Sequence, residues 1–219
     1  MIQQADLSGG ETLLSTVRHG LTELNRDKRV GGLIDVPLIE EGRKQAQEAS
    51  TAFSGTPFDV VVSSPLLRAL ETAEIVARVQ RENIVVEEGC IERSFGEMEG
   101  LLATEIRERF PQVRYKRVGH VDYSLNPPGG ESFEQMHERA RMFLEHLLKT
   151  YAGKRVVVFA HENFLQQLHG AIRGLDSMES LEQGILNCEL NQFLLDESGS
   201  PISHQRVELC ASAVEYPSF

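Results

Sequence analysis

Two arginines and two histidines are the residues of this chain whose types and spacing could do chemistry. Arg18 and His19 stand side by side in TVRHGLTELN, Arg68 follows the Ser63-Ser64-Pro65 step in SSPLLRALETA, and His161 closes the run RVVVFAH. Guanidinium groups present their N–H donors in a planar fork that matches phosphate oxygens two at a time. A neutral imidazole among such cations can attack phosphorus, provided that a backbone carbonyl holds its far nitrogen so that the near one presents its lone pair. His19 is suited to that role, and Gly20 after it permits a sharp turn and a close approach to a ligand. The four side chains together describe a pocket for a phosphoryl group.

They can meet only if the chain brings three distant positions to one edge. Three short apolar runs rich in β-branched residues do this: LLSTV ends at Arg18, DVVV at Ser63 and RVVVFA at His161. Runs of this length and content read as buried parallel strands. After Ser63-Ser64-Pro65, a serine N-cap with proline at the first helical position, Leu66, Leu67, Leu70, Ala73, Val76 and Ala77 recur at helical spacing. The first N–H groups of that helix add positive potential beside Arg68. Helices are also predicted from Ser132 to Thr150 and from Glu40 to about Phe53. Near the C-terminus, NCELNQFLLDE and SHQRVELC flank a Ser/Gly/Pro turn and read as a hairpin on the edge of the sheet.

This alternation predicts the α/β class: a single three-layer α/β/α domain over residues 1–219, with a mostly parallel central sheet and an antiparallel edge hairpin. Such sheets bind ligands beyond the carboxyl ends of their strands. Residues 101–130, marked by Gly119, Pro127, Pro128, Gly129 and Gly130, read as an irregular excursion and are expected to form a short lid insertion over the crevice.

The 219 residues carry a net charge of −11, which argues against nucleic-acid and anionic-membrane partners, since both demand a broad basic face. With 41% apolar and 25% charged residues the composition is that of a globular chain. Cys90, Cys188 and Cys210 are odd in number and form no C-x-x-C pair, so neither a disulfide framework nor a zinc site is suggested. The opening MIQQADLSGGE has no basic region followed by an apolar one, and no apolar run is long enough for a bilayer. A cytoplasmic protein without export signal or anchor is expected.

Taken in order, RHGLTELN, DVPLIEEG, SSPLLRALETA, IERSFGEMEG, GGES and AHE give the chain its resemblance to the histidine phosphatase superfamily, in its phosphoglycerate-mutase-like branch. The resemblance covers most of the chain. It implies that His19 becomes a phosphohistidine, that Arg18, Arg68 and His161 clamp the phosphoryl oxygens, and that Thr22 and Asn25 add hydrogen bonds. It also implies that Glu92 protonates the leaving group and later activates water, with no metal and no cofactor. From the residues alone, Glu97 and Glu99 remain alternatives to Glu92. Whichever serves must be protonated at rest, so its burial has to offset the nearby arginines. The implied substrate is a small phosphorylated metabolite, such as a phosphosugar or a phosphorylated hydroxy acid. Hydrolysis is favoured over mutase chemistry because mutases of the family carry a longer insertion after the FGxxEG-like segment. A weakly active binding relative is the remaining alternative, and a homodimer is left open.

Two positions depart from the family pattern. Glu162 replaces the usual glycine after the second histidine. It is counted with the substrate pocket because it adjoins His161, yet it is expected on the exposed first turn of the next helix, where an acid favours the dipole. A carboxylate turned inward would repel phosphate. Ile39 replaces a Thr or Ser helix cap, at a cost of about 1 kcal/mol. Within 101–120 the bases Arg107, Arg109, Arg114, Lys116 and Arg117 outnumber the acids. Arg114 and Lys116 are accordingly expected to meet a second anionic group of the substrate.

Overall fold

A computed structural model describes residues 7 and 9–210, so most of the opening segment lies outside the described residues. Eight strands form: β1 (Thr12–Arg18), β2 (Val60–Ser63), β3 (Val85–Val86), β4 (Tyr115–Val118), β5 (Val121–Ser124), β6 (Arg155–Ala160), β7 (Leu190–Leu195) and β8 (Pro201–Val207). Six of them make the central sheet in the order β3-β2-β6-β1-β7-β8. β1, β2, β3 and β6 run parallel, while β7 and β8 form the antiparallel hairpin at one edge. The helices are α1 (Glu23–Arg26), α2 (Glu40–Ala52), α3 (Leu67–Ala77), α4 (Ala103–Arg109), α5 (Phe133–Thr150) and α6 (Glu162–Arg173).

Alternation along the strands separates two cores. Val156, Val158 and Ala160 of β6 face α5 and α6, with Met136, Phe143, Leu147, Phe164 and Leu168. Val157 and Phe159 face the opposite way and pack with Ala46, Ala49, Leu70 and Ala73 of α2 and α3. The result is the expected three-layer α/β/α arrangement. Among the described residues no helix is long and apolar enough to cross a membrane. All three cysteines are buried and none forms a disulfide.

Helix starts show where local signals suffice and where they do not. Ser132 caps α5, its side chain accepting from the Gln135 N–H. Ile39 precedes α2 with no side-chain cap. Ser64, however, does not cap α3, which begins at Leu67. Its first N–H is taken by a carboxylate far away in sequence, Asp35 Oδ1, at 2.7 Å from Leu67 N. Ser64 Oγ instead lies 2.7 Å from His161 Nε2. Asp35→Ala is expected to lower stability by about 1 kcal/mol, read as an earlier urea midpoint at unchanged slope.

Residues 101–130 are not irregular. They contain α4 and the separate antiparallel pair β4-β5, and Ile106, Val113, Phe110 and Tyr115 build a small core with Val30, Phe95 and Met98. The glycines and prolines that suggested a loop belong to the turn between the two strands and to the segment leading into α5. The segment also meets the Arg29–Val30 stretch: Val30 N donates to Leu101 O at 3.0 Å and Gly100 N to Val30 O at 2.8 Å. It therefore packs against a stretch, Arg29–Val30, that lines the crevice.

Candidate active site

The parallel ladder itself assembles the site. Arg18 pairs with Ala160 and Ser63 with Phe159 at the carboxyl ends of β1, β6 and β2. The ladder runs one residue further, with His19 N donating to Ala160 O and Ser64 N to Phe159 O, both at 3.0 Å. His19 and His161 thus emerge on neighbouring strands, with ring centroids 5.2 Å apart. Backbone bonds hold the turn after His19: Gly20 N donates to Thr72 Oγ1, Leu21 N to Gln45 Oε1, and Asn187 Nδ2 to His19 O. The value of Gly20 is close approach to the protein itself and not to a ligand. A Cβ there would sit 2.6 Å from the carbonyl oxygen of Gly42 in α2.

The cleft above these strand ends holds about 510 Å³, including its open mouth, and Arg18, His19, Thr22, Asn25, Lys28, Arg68, Glu92 and Asn163 are among the residues lining it. His19 Nδ1 is 2.7 Å from Gly20 O. A carbonyl can only accept, so Nδ1 carries the proton and Nε2 presents its lone pair. Burial pushes the His19 pKa well below its ordinary 6.5, and the charges of Arg68 and Arg18 add to this, against the Gly20 carbonyl. His161 is held neutral for the same reasons, burial first and then Arg68. Arg68 is nearly buried and spends three donors on the protein: Nε to His161 Nδ1, Nη1 to Ile34 O and Nη2 to Gly32 O. Two of its five N–H groups remain for a ligand. Burial lowers the Arg68 pKa to about 10, so it keeps its charge.

Of the three candidate carboxylates, Glu92 is the one on the cleft wall. Its Oε1 accepts from Arg93 N at 2.9 Å and from Phe164 N, in the first turn of α6, at 3.3 Å. Those bonds and the two arginines favour the ionised form, but burial outweighs them and raises the Glu92 pKa above its ordinary 4.5. Glu97 is exposed, and Glu99 turns back to accept from Phe95 N at 3.0 Å. Arg139 of α5 fixes the segment, its Nη1 donating to Gly89 O and Ile91 O. Thr22 and Asn25 form a reciprocal cap on α1 in which Asn25 Oδ1 accepts from Thr22 N and Oγ1. The Asn25 amide nitrogen is therefore the end left to face a ligand. Among the described residues no group of three or more His, Cys, Asp or Glu side chains could hold a metal ion.

A profile of the histidine phosphatase superfamily (branch 1) matches residues 14–207. The chain belongs to this superfamily. It is 30% identical to phosphoserine phosphatase 1 of Hydrogenobacter thermophilus, covering 84% of this chain and 87% of the relative. It is 32% identical to a 2,3-bisphosphoglycerate-dependent phosphoglycerate mutase of Parvibaculum lavamentivorans, covering 87% and 93%. Among solved structures, a phosphoserine phosphatase variant of Entamoeba histolytica in complex with phosphoserine superposes with a TM-score of 0.72 at 26% identity, over 88% of this chain and 96% of that one. Phosphoric monoester hydrolysis is the enzyme class in which these findings place the chain.

Within this histidine phosphatase, several side chains lie elsewhere than their sequence positions suggested. Glu162 is not exposed: it is buried, with Oε2 2.8 Å from Arg18 Nη1. The strand end that turns Arg18 inward leaves its guanidinium in a desolvated space, and the carboxylate follows the charge. Arg114 and Lys116 are not in the cleft. Lys116 Nζ donates to Met178 O at 3.0 Å, and Arg114 lines a separate hollow with Leu125, Asn126 and Ser132. Arg107 of α4 and Arg117 of β4 both pair with Asp122 of β5. Three of the five bases, Arg107, Lys116 and Arg117, are thus engaged by the protein itself, away from the cleft.

The cation at the cleft mouth is one that sequence reasoning missed. Lys28 is exposed, sits in the left-handed region at φ +54, and has no side-chain partner among the described residues. Asn163 was missed too. It is buried on the first turn of α6, and neither Oδ1 nor Nδ2 finds a hydrogen-bond partner. Its place two residues after His161 was the available signal.

Proposed function

We propose that the protein hydrolyses a small phosphate monoester through a phosphohistidine on His19. Arg18, Arg68 and the Asn25 amide hold the phosphoryl oxygens while His19 Nε2 attacks phosphorus. The phosphorus–oxygen ester bond breaks, and the departing oxygen takes the proton of the Glu92 carboxyl. Glu92, now ionised, accepts a proton from water, whose oxygen attacks phosphorus. The phosphorus–nitrogen bond breaks and inorganic phosphate leaves with both groups restored. Asn163 supplies a donor and an acceptor beside Glu92, suited to the leaving group or the attacking water. His161 fixes Arg68 from beneath, and reaches a phosphoryl oxygen by sharing the Nε2 proton that bonds Ser64.

The observation that carries this reading is the His19 ring itself: Nδ1 is pinned to the Gly20 carbonyl and the ring is kept neutral between two arginines. The substrates we favour carry a second anionic group, as phosphoserine and phosphorylated hydroxy acids do, because Lys28 stands at the cleft mouth. A panel of phosphate esters tests both points, with released phosphate and isomerised product measured separately. Phosphate release from such a metabolite is expected, and Lys28→Ala should raise its KM about threefold to tenfold while sparing p-nitrophenyl phosphate. Isomerisation of 3-phosphoglycerate without phosphate release would replace this reading by a mutase.

A further inference from the structure

The pair made by Glu162 with Arg18 has no part in the scheme above. Both side chains are almost fully enclosed, at 4% and 1% exposure, and Arg18 Nη1 also donates to Ile185 O at 2.5 Å. Arg18 lines the cleft and Glu162 does not, so the carboxylate stands behind the guanidinium, away from any bound phosphoryl group. Glu162 is the first residue of α6, where the helix N–H groups favour a negative charge.

We infer that Glu162 is a positioning residue and standing counterion of Arg18, which weakens the grip of the pocket on oxyanions and so speeds the departure of inorganic phosphate. The inference rests on the reading of the cleft as a phosphoryl site. With His19 and His161 held neutral by burial, Arg18 and Arg68 carry the positive charge offered to a phosphate dianion, and the nearby carboxylates of Glu92, Asp35 and Glu99 already temper that of Arg68. The Glu162 carboxylate cancels much of that of Arg18 at the distance of a single guanidinium. In a water-poor site such a charge is poorly screened. A pocket in which Arg18 lacked this carboxylate would hold substrate and product phosphate alike more tightly, and tight product binding slows turnover without helping the chemical step. Glu162 also offsets the cost of burying Arg18, which a glycine at this position would leave uncompensated on this side.

The test measures binding of inorganic phosphate directly, by calorimetry at neutral pH, together with steady-state kinetics and phosphate inhibition. Glu162→Gln keeps the side-chain shape and removes the charge. It is expected to bind phosphate about tenfold more tightly, with a lower inhibition constant and a reduced kcat. Loss of a merely structural strut would raise KM and the inhibition constant together. Glu162→Asp, which draws the carboxylate back by one methylene, should fall between the two, and it carries the test if Glu162→Gln does not fold. Unchanged or weaker phosphate binding in either variant, with a wild type that binds phosphate and turns over esters, overturns the counterion role and leaves the phosphatase reading in place. A wild type that neither binds phosphate nor hydrolyses esters overturns both.

Discussion

Replacing His19 with alanine is expected to lower kcat by about 10⁴-fold or more on every ester the protein hydrolyses, and to abolish acid-labile labelling of the protein by a phosphate donor. The size follows from what is lost. His19 is the one side chain in the cleft that presents a lone pair on a nitrogen fixed by its neighbour, with Nδ1 bonded to Gly20 O. Its pKa is lowered by burial and by Arg68 and Arg18, so the ring stays neutral well below pH 6.5 and no deprotonation precedes attack. His161 cannot stand in, because both its nitrogens are engaged, Nδ1 by Arg68 and Nε2 by Ser64. The substitution leaves the arginines in place, so phosphate should still bind. Ester hydrolysis that survives at wild-type rates, or labelling that persists, would exclude the phosphohistidine.

The second large effect concerns Glu92. Glu92→Gln should reduce kcat about 10²- to 10⁴-fold for alkyl phosphates, whose alkoxide leaves only with a proton. The loss for p-nitrophenyl phosphate should be smaller, because nitrophenolate departs without one. A pH profile gives an independent reading. Attack needs neutral His19, so activity falls when pH drops through its lowered pKa. Leaving-group protonation needs protonated Glu92, so activity falls when pH rises through its raised pKa. The wild type should therefore show a bell-shaped kcat/KM. In Glu92→Gln the alkaline limb should disappear while the acid limb remains. An alkaline limb that survives the substitution would move the proton donor to another residue.

What the sequence reveals of this architecture is whatever is written within one element. β1, β2 and β6 and the helices from Glu40 and from Ser132 follow from apolar period and turn chemistry read over a few residues. The convergence of Arg18, His19 and Arg68 was legible because parallel strands deliver their carboxyl ends to one edge. Less legible were the contacts made across the fold. Asp35 caps α3 from another loop, and no local pattern around Ser64 could say so. Glu162 has the position of an exposed first-turn acid, and only the buried charge of Arg18, brought alongside by β1 pairing with β6, turns it inward. Arg114 and Lys116 lie away from the cleft, because net charge along a segment does not show toward which part of the fold its side chains turn. Lys28, in a short turn after α1, gave no periodic signal at all.

The start of α6 gathers an unusual share of the site. His161 precedes it, Glu162 holds Arg18, Asn163 opens onto the cleft, and Phe164 N anchors Glu92. His19 belongs instead to the end of β1, and Arg68 to α3. In the proposed scheme the two halves of the site are thus carried by different elements, and the position of the Glu92 carboxyl relative to His19 depends in part on how α6 seats on the sheet. Phe164, Leu165 and Leu168 make that seat with Leu14 and Val158. On the proposed scheme, core packing well below the cleft therefore bears on the proton-transfer distance, and a change of side-chain volume there is expected to slow the reaction without touching any group that meets the substrate.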